Sequence, residues 1–518
     1  MARIHEYKGK ELLAEHGIAV PRGTLLRRGV DSAAALGSFL SDVGLPAVVK
    51  AQAWTTGRLE KGLIRFAKSE GELREAAEAL FEKTVEGFSV DEVLVEERVG
   101  ASEEFFFSYY IDDADGLGRY LFARGGGSGI EERFRKHGWG TADGKVHPGA
   151  SLRPHHVREV LRKADIHGPL LLKLSRLVHR AIETAIAVEA RSLEINPIIE
   201  NPDGKPVAAD CRVSVDDYAV FRHPELEIEI ARDLANPPTD LDRIAYAVES
   251  GDYRGTFYFT QLAQGFSIKD RYVGFHGAGG GGSMMSMDAL MAAGFRPANF
   301  CDTSGNPPAS KVYRAARIIL SQPGIVGYFG SGSGVASQEQ IHSARGLVKA
   351  FREVNMDLPV VVRLGGNMED EAIHVLEDYT RDLPTTIRGF TKDADADRCA
   401  AEFRSIVENS PTPRPDRDVA DEPPWLNDKD TYRFDCPTGT VHYHHPTCLT
   451  CASKACVSSC VPGILQLADG KPELAITQKD AKAGKCIECL ACEVECRRHG
   501  AAGGYVRLPM PETSTSRP

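Results

Sequence analysis

Eight cysteines near the C-terminal end carry the most explicit chemistry in this sequence. They run as Cys448-x2-Cys451-x4-Cys456-x3-Cys460 and then Cys486-x2-Cys489-x2-Cys492-x3-Cys496. An x2 gap lets one tight loop aim neighbouring thiolates at a single small metal centre. The other four of the 12 cysteines, Cys211, Cys301, Cys399 and Cys436, are scattered. Such clustering in a long chain without a secretion signal favours metal ligation over disulfides. Paired x2 knuckles also serve structural zinc, but eight in-register cysteines with x3 tails exceed what zinc ribbons need, which favours iron–sulfur clusters. His442, His444 and His445 read as solvated loop residues beside them.

Two glycine loops form a second chemical feature. One is His276-Gly277-Ala278-Gly279-Gly280-Gly281-Gly282-Ser283, and the other is Gly330-Ser331-Gly332-Ser333-Gly334-Val335-Ala336-Ser337. Glycine lets backbone N–H groups turn toward an anion, and a following helix adds its positive end. A phosphate or carboxylate is expected at both, with plain strand-to-helix turns as the alternative.

The elements that must position these residues follow from periodicity. His5 to His16 reads as an amphipathic helix stopped by Gly17, and Ala47–Lys50, Glu92–Glu96 and Phe105–Ile111 read as strands. His155 to Val188 reads as one long helical stretch, leading into the buried strand Ser192–Ile199, the tight turn Asp203-Gly204 and a return strand from Val207 to Cys211. From Ile268 to Phe403 strand, turn and helix repeat, which predicts a doubly wound parallel sheet. The expected fold is α/β multidomain. Residues 1–224 form a first domain, 225–255 a connector, 256–406 the doubly wound domain, 407–435 a linker, 436–508 a small cysteine-rich α+β domain, and 509–518 a disordered tail.

The chain has 518 residues and a formal net charge of −11, so two to four domains are expected and a general nucleic-acid binder is not. No apolar run is long enough to span a bilayer, and the charged N-terminus lacks a signal core, so a cytoplasmic protein is expected.

The cysteine region resembles the bacterial-type ferredoxin family. In that family the fourth cysteine of each run ligates the other cluster. The resemblance therefore implies one [4Fe–4S] cluster on Cys448, Cys451, Cys456 and Cys496, and a second on Cys486, Cys489, Cys492 and Cys460. The x4 gap, and the proline displaced to Pro462, depart from the family pattern.

The front of the chain resembles the β subunit of succinyl-CoA synthetase, an ATP-grasp acyl-CoA ligase. The likeness begins at Met-Ala-Arg-Ile-His-Glu-Tyr-Lys-Gly-Lys-Glu-Leu-Leu. It continues in order through Val48-Val49-Lys50, Val93–Glu96, Leu193-Glu194-Ile195-Asn196-Pro197, Gly277-Ala278-Gly279, Pro297-Ala298-Asn299-Phe300 and Pro359–Leu364. It implies an ATP-grasp domain followed by a flavodoxin-like CoA-ligase domain. Lys50, Gly57 and Arg58 would meet the phosphates of ATP or GTP, Glu96 would lie near the base, and Glu104 would take the ribose. Asn196 and Asp210 would hold Mg²⁺, and Glu194 would face phosphoryl transfer. His276 would contact the organic acid, while Gly332 and Gly334 would face a phosphohistidine. That histidine, and most of the CoA site, would belong to an α-type partner subunit.

Two departures bear on activity. The phosphate loop after Lys50 keeps only Gly57, Arg58 and Gly62 of the family pattern, so nucleotide binding is expected to be weakened or lost. His276 stands where the family has asparagine, and the second glycine loop is two residues longer, so a small carboxylic acid other than succinate is expected. The leading reading is a ligase β-type subunit carrying an electron-transfer module, with a redox enzyme, ferredoxin or flavoprotein as a further partner. The alternative is a redox scaffold whose ligase portion no longer turns over.

Overall fold

The computed structural model describes residues 1–126, 141–147, 149, 152–251, 257–332 and 339–511. The chain divides into two compact units, Met1–Pro238 and Thr239–Pro518.

The first unit is built on two antiparallel sheets. The smaller has the order Gly23–Arg27, Glu92–Glu97, Ala47–Ala51, Ile64–Ala67. The helix Glu70–Phe81 covers it because Leu73, Ala76, Ala77 and Leu80 recur at helical spacing and are all buried, and the Ser69 side chain caps its start by accepting from the Glu72 N–H. The larger sheet runs Ala2–Ile4, Cys211–Val215, Ala190–Glu200, Glu103–Asp112, Leu117–Arg124, Thr141–Val146, with Pro206–Ala208 paired beside Ala190–Glu200. The expected single helix across 155–188 is two helices, Pro154–Lys163 and Gly168–Ala187. The break comes where Asp165 and Gly168 adopt left-handed backbone, which a continuous helix cannot contain. The glycine run 125–129 is described only as far as Gly126.

In the second unit the sheet order is Tyr258–Gln261, Asn299–Asp302, Tyr272–Ala278, Tyr328–Gly332, Val360–Arg363, Ile387–Phe390. All pairings are parallel except the edge strand Tyr258–Gln261, which is antiparallel to Asn299–Asp302. Val360, Val361 and Val362 are buried, as a strand covered on both faces requires. The chain leaves Tyr272–Ala278 toward one edge and returns on its other side to form Tyr328–Gly332. The first glycine loop and the carboxyl end of Tyr328–Gly332 therefore lie at a switch point, where doubly wound folds form crevices.

Regular structure extends into both segments expected as connectors. The helix Asp240–Ser250 falls within 225–255, started by a reciprocal cap between Thr239 and Asp242. The strand Thr431–Asp435 falls within 407–435 and pairs with Thr440–His444, which pairs in turn with Gly504–Arg507. The hairpin Leu465–Ala468/Lys471–Leu474 turns through Asp469-Gly470, both with positive φ, as a two-residue hairpin demands. One core joins the cysteine-rich segment to the doubly wound sheet, running from Phe257, Tyr313, Tyr328 and Phe351 to Val441, Tyr443, Leu490 and Val506. The first residues of the expected disordered tail take part: Arg314 Nε donates to the Pro509 carbonyl at 3.2 Å, and Met510 packs on that core. Residues 512–518 lie outside the description.

Candidate active site

The densest electrostatic feature of the first unit is a largely buried array of six ionic side chains, of which Asp210 is partly exposed. Glu6 and Lys10 stand one turn apart on the buried face of the helix Glu6–Glu15. Lys50 lies on the strand Ala47–Ala51, and Glu96 on the adjacent strand Glu92–Glu97. Lys50 Nζ is 2.8 Å from Glu6 Oε1 and 2.9 Å from Glu96 Oε2, and it donates to the Ala209 carbonyl at 2.8 Å. Lys10 Nζ bridges the same carboxylates at 2.7 and 2.5 Å. Arg58 completes the array by pairing with Glu6 Oε2 at 2.7 Å and with Asp210. Lys10, Lys50 and Arg58 thus face Glu6, Glu96 and Asp210, three charges against three.

Burial alone opposes charge on Lys50 and Arg58, yet the surrounding carboxylates outweigh it and hold both pKa values above the ordinary range. Burial likewise opposes charge on Glu6, but Arg58, Lys10 and Lys50 hold its carboxyl well below the ordinary range. All three groups therefore remain ionised at neutral pH.

Glu96 stands near the end of its strand, as expected; it is 2 % exposed and its carboxylate is taken by Lys10 and Lys50. Arg58, expected on phosphates, and Asp210, expected on Mg²⁺, pair with each other. Gly57 holds positive φ and opens a turn in which the Lys61 N–H donates to its carbonyl at 3.0 Å. Glu6 and Lys10 escaped sequence reading, although two charges four residues apart on the face that carries Gly9 and Leu13 was a usable signal.

Asn196 and Asp210 are brought together by the strand turn. The Asn196 N–H donates to the Asp210 carbonyl at 3.2 Å, and Asn196 Nδ2 donates to Glu194 Oε1 at 3.3 Å. Glu194, Asn196 and Asp210 are all partly exposed. Glu104 lies across the sheet from Ile199, and its carbonyl accepts from the Gly125 N–H at 2.8 Å.

In the second unit a small pocket of about 40 Å³ opens at the switch point. Its polar wall includes His276, Thr303, Tyr328, Ser343 and Arg363, and its apolar wall includes Val312, Leu347, Val362 and Leu364. His276 Nδ1 is hydrogen-bonded to the Tyr328 hydroxyl, and Nε2 to Thr303 Oγ1 at 3.2 Å. Burial brings the His276 pKa down to about 4, so the imidazole is neutral. Gly332 lines the same pocket, where a Cβ would come within 3.1 Å of the Ala278 carbonyl. Gly334 lies outside the described residues.

In the first glycine loop one amide is taken internally: Asp302 Oδ1 accepts from the N–H groups of Gly279 and Ser304, each at 2.8 Å. Asp302 ends the neighbouring strand, a placement that sequence spacing alone does not reveal.

All 12 cysteines are free thiols. Among the described residues no three His, Cys, Asp or Glu side chains stand together as a metal-holding group. A small cavity of about 30 Å³ is nevertheless lined by Cys436, Cys460, Cys486, Cys489 and Cys492. Burial pushes the Cys460 thiol up, while the N–H groups of Ile464, Leu465 and Gly463 work in the opposite direction. A hydrogen bond from Cys456, with the amides of Gly504, Gly503 and Ala502, brings Cys496 down to about 6 against the effect of burial. Cys436, read as scattered, lies against Cys486. The three histidines are not solvated loop residues. His442 is buried on a strand, His444 stacks on Trp425 and His445 on Tyr432.

Fold and site together define an α/β ATP-grasp protein of the acid–thiol ligase class. A family model described as an ATP-grasp domain matches residues 3–200. The β subunit of a GDP-forming succinate–CoA ligase from Thermus thermophilus is 31% identical over 377 residues, 72% of this chain and 93% of that protein. An ADP-forming counterpart from Archaeoglobus fulgidus is 31% identical over 383 residues, 74% and 94% of the two chains. The chain belongs to the succinate–CoA ligase β-subunit family. Among solved structures, an ATP citrate lyase from Methanothrix soehngenii in complex with citrate and coenzyme A shares the fold. Its TM-score is 0.60 at 18% identity, covering 78% of this chain and 99% of that one. Among the described residues no helix is long and apolar enough to cross a membrane.

Proposed function

We propose that the chain is the β-type subunit of a cytoplasmic, nucleotide-dependent acyl-CoA ligase that carries an iron–sulfur module. The balanced array around Lys50 is the observation that most supports this reading. A magnesium nucleotide brings phosphate charge to Lys50 and Arg58 and a cation to Asp210 and Asn196. It can therefore replace the Arg58–Asp210 pair without leaving either group unpartnered. Mg²⁺ would supply charge neutralisation on the phosphates.

The γ-phosphoryl group of ATP or GTP passes to a histidine of an α-type partner and from there to a carboxylate oxygen. The CoA thiol then attacks the acyl carbon, and phosphate leaves. The chain contributes positioning and electrostatics rather than a covalent intermediate of its own. Glu194 faces the phosphoryl-transfer site, and Glu104 takes the ribose. Neutral His276 and Tyr328 orient the acid by hydrogen bonds, against an apolar wall that favours an acid with an uncharged body over a dicarboxylate.

The two runs of cysteines suit [4Fe–4S] clusters, held by Cys448, Cys451, Cys456 and Cys496 and by Cys460, Cys486, Cys489 and Cys492. Soft thiolate donors, an apolar cavity and inward-turned amides are what such a group requires. The clusters would supply one-electron transfer toward a redox enzyme, ferredoxin or flavoprotein. A second reading, a redox scaffold without ligase turnover, is favoured by the Arg58–Asp210 pair, which occupies two nucleotide ligands.

Anaerobic co-purification of the native complex tests both halves. The expected result is a brown preparation containing iron and sulfide that forms acyl-CoA from a carboxylate, CoA and a nucleotide. Zinc in place of iron contradicts the module, and electron transfer without thioester formation selects the scaffold.

A further inference from the structure

A third cavity, of about 290 Å³, lies where the cysteine-rich segment packs on the doubly wound domain. It is bounded by the helix Ile341–Glu353, the Tyr379–Asp382 turn and the helix Ala491–His499, which bears Cys492 and Cys496. Its walls are strongly basic. Arg352 pairs bidentately with Asp382 at 2.9 and 3.0 Å. Arg381 and Arg498 share Asp378, the former at 2.9 Å and the latter through Nε at 3.0 Å. Lys349 is spent on Glu493 and Glu353, at 2.9 and 2.8 Å. For Arg497 the described residues offer only Glu493, at 3.7 Å, a carboxylate Lys349 already neutralises. Four guanidinium groups thus face two available carboxylates, Asp378 and Asp382. Burial and the nearness of Arg497 and Arg498 both disfavour the charge on Arg352, with Asp382 opposing them.

Like charges gathered in a concave site call for a multivalent anion, and guanidinium forks match phosphate oxygens. The volume is at the low end of small-ligand pockets, a size suited to a pyrophosphate group. Lys349 is 1 % exposed and Arg352 22 %, so the floor is reached from within a cavity and not from a flat docking face. We propose that this junction binds a phosphoryl-bearing small molecule of at least two negative charges, with a pyrophosphate or nucleoside diphosphate moiety seated among Arg352, Arg381, Arg497 and Arg498. The site is separate from the array around Lys50 and does not depend on the ligase reading.

Hydrogen–deuterium exchange of the full chain with pyrophosphate, and separately with ADP, tests it. Pyrophosphate is expected to slow exchange in the helices Ile341–Glu353 and Ala491–His499 and in the Tyr379–Asp382 turn. In Arg381→Gln/Arg497→Gln, whose replaced side chains are partly or largely exposed, that protection should require about tenfold more pyrophosphate. The melting temperature without ligand should be unchanged. Protection confined to residues 1–238, or identical titrations of variant and wild type, overturns the proposal. So does response to an acidic polyglutamate peptide but not to pyrophosphate.

Discussion

The array around Lys50 and the pocket around His276 are both buried and polar, but they solve the cost of burial in opposite ways. The first keeps its groups charged and balances them, three cations against three carboxylates. The second holds a neutral imidazole between two hydroxyls. A balanced array can exchange one ion for another and so suits a charged ligand that arrives with its own counter-ion. A neutral pocket discriminates by shape and hydrogen bonding.

Replacing one member of the array separates stability from chemistry, and the largest effect is expected there. Lys50→Met leaves Glu6 and Glu96 short of a partner and should cost about 3–5 kcal/mol of stability in thermal or urea unfolding. Adding Glu96→Gln should recover most of that stability without restoring acyl-CoA formation. Recovery of both would reduce the array to a structural role.

Within the second unit the same logic applies to Lys349, which is buried against Glu493. Lys349→Met should destabilise by about 3 kcal/mol, and Glu493→Gln in the same chain should return part of it. Calorimetry of the two variants checks this.

His276 sharpens the contrast through pH. Its folded pKa of about 4 lies below the unfolded value of about 6.5. The unfolded chain therefore binds the proton first as pH falls. The stability contributed by the neutral ring is complete above pH ~6.5 and is lost progressively toward pH ~4, by about 3 kcal/mol. His276→Asn should flatten that part of the stability-against-pH curve. It should leave the phosphorylation step intact while raising KM for the acid.

The smallest effect is expected at Gly9. A Cβ there would meet the Cys211 sulfur at 2.6 Å, so Gly9→Ala should cost about 1–3 kcal/mol in urea unfolding.

Much of the architecture was legible because it is written in local periodicity. The strand–turn–helix rhythm from Ile268 to Phe403 announced the doubly wound sheet, and the Asp203-Gly204 turn announced the pairing that brings Asn196 and Asp210 together. What escaped depends on which surfaces meet. Glu6 and Lys10 look like ordinary helix charges until the strand carrying Lys50 closes over them. Asp302 is remote in sequence from the loop whose amide it fills. The break at Asp165 and Gly168 is two left-handed residues inside an otherwise helical pattern. Asp240–Ser250 was obscured by the prolines before it, although Thr239 and Asp242 supply a readable cap. His442 became buried only because Gly504–Arg507 returns from beyond the cysteines to pair with its strand.

Calorimetric titration of the full chain with Mg·ATP, and with Mg·GTP, tests the central claim most directly when wild type is compared with Asp210→Asn. Saturable binding by wild type to at least one nucleotide, weakened about tenfold or more in the variant and only when Mg²⁺ is present, is the result expected. Absence of binding to either nucleotide, or equal affinity in the two proteins, would contradict it.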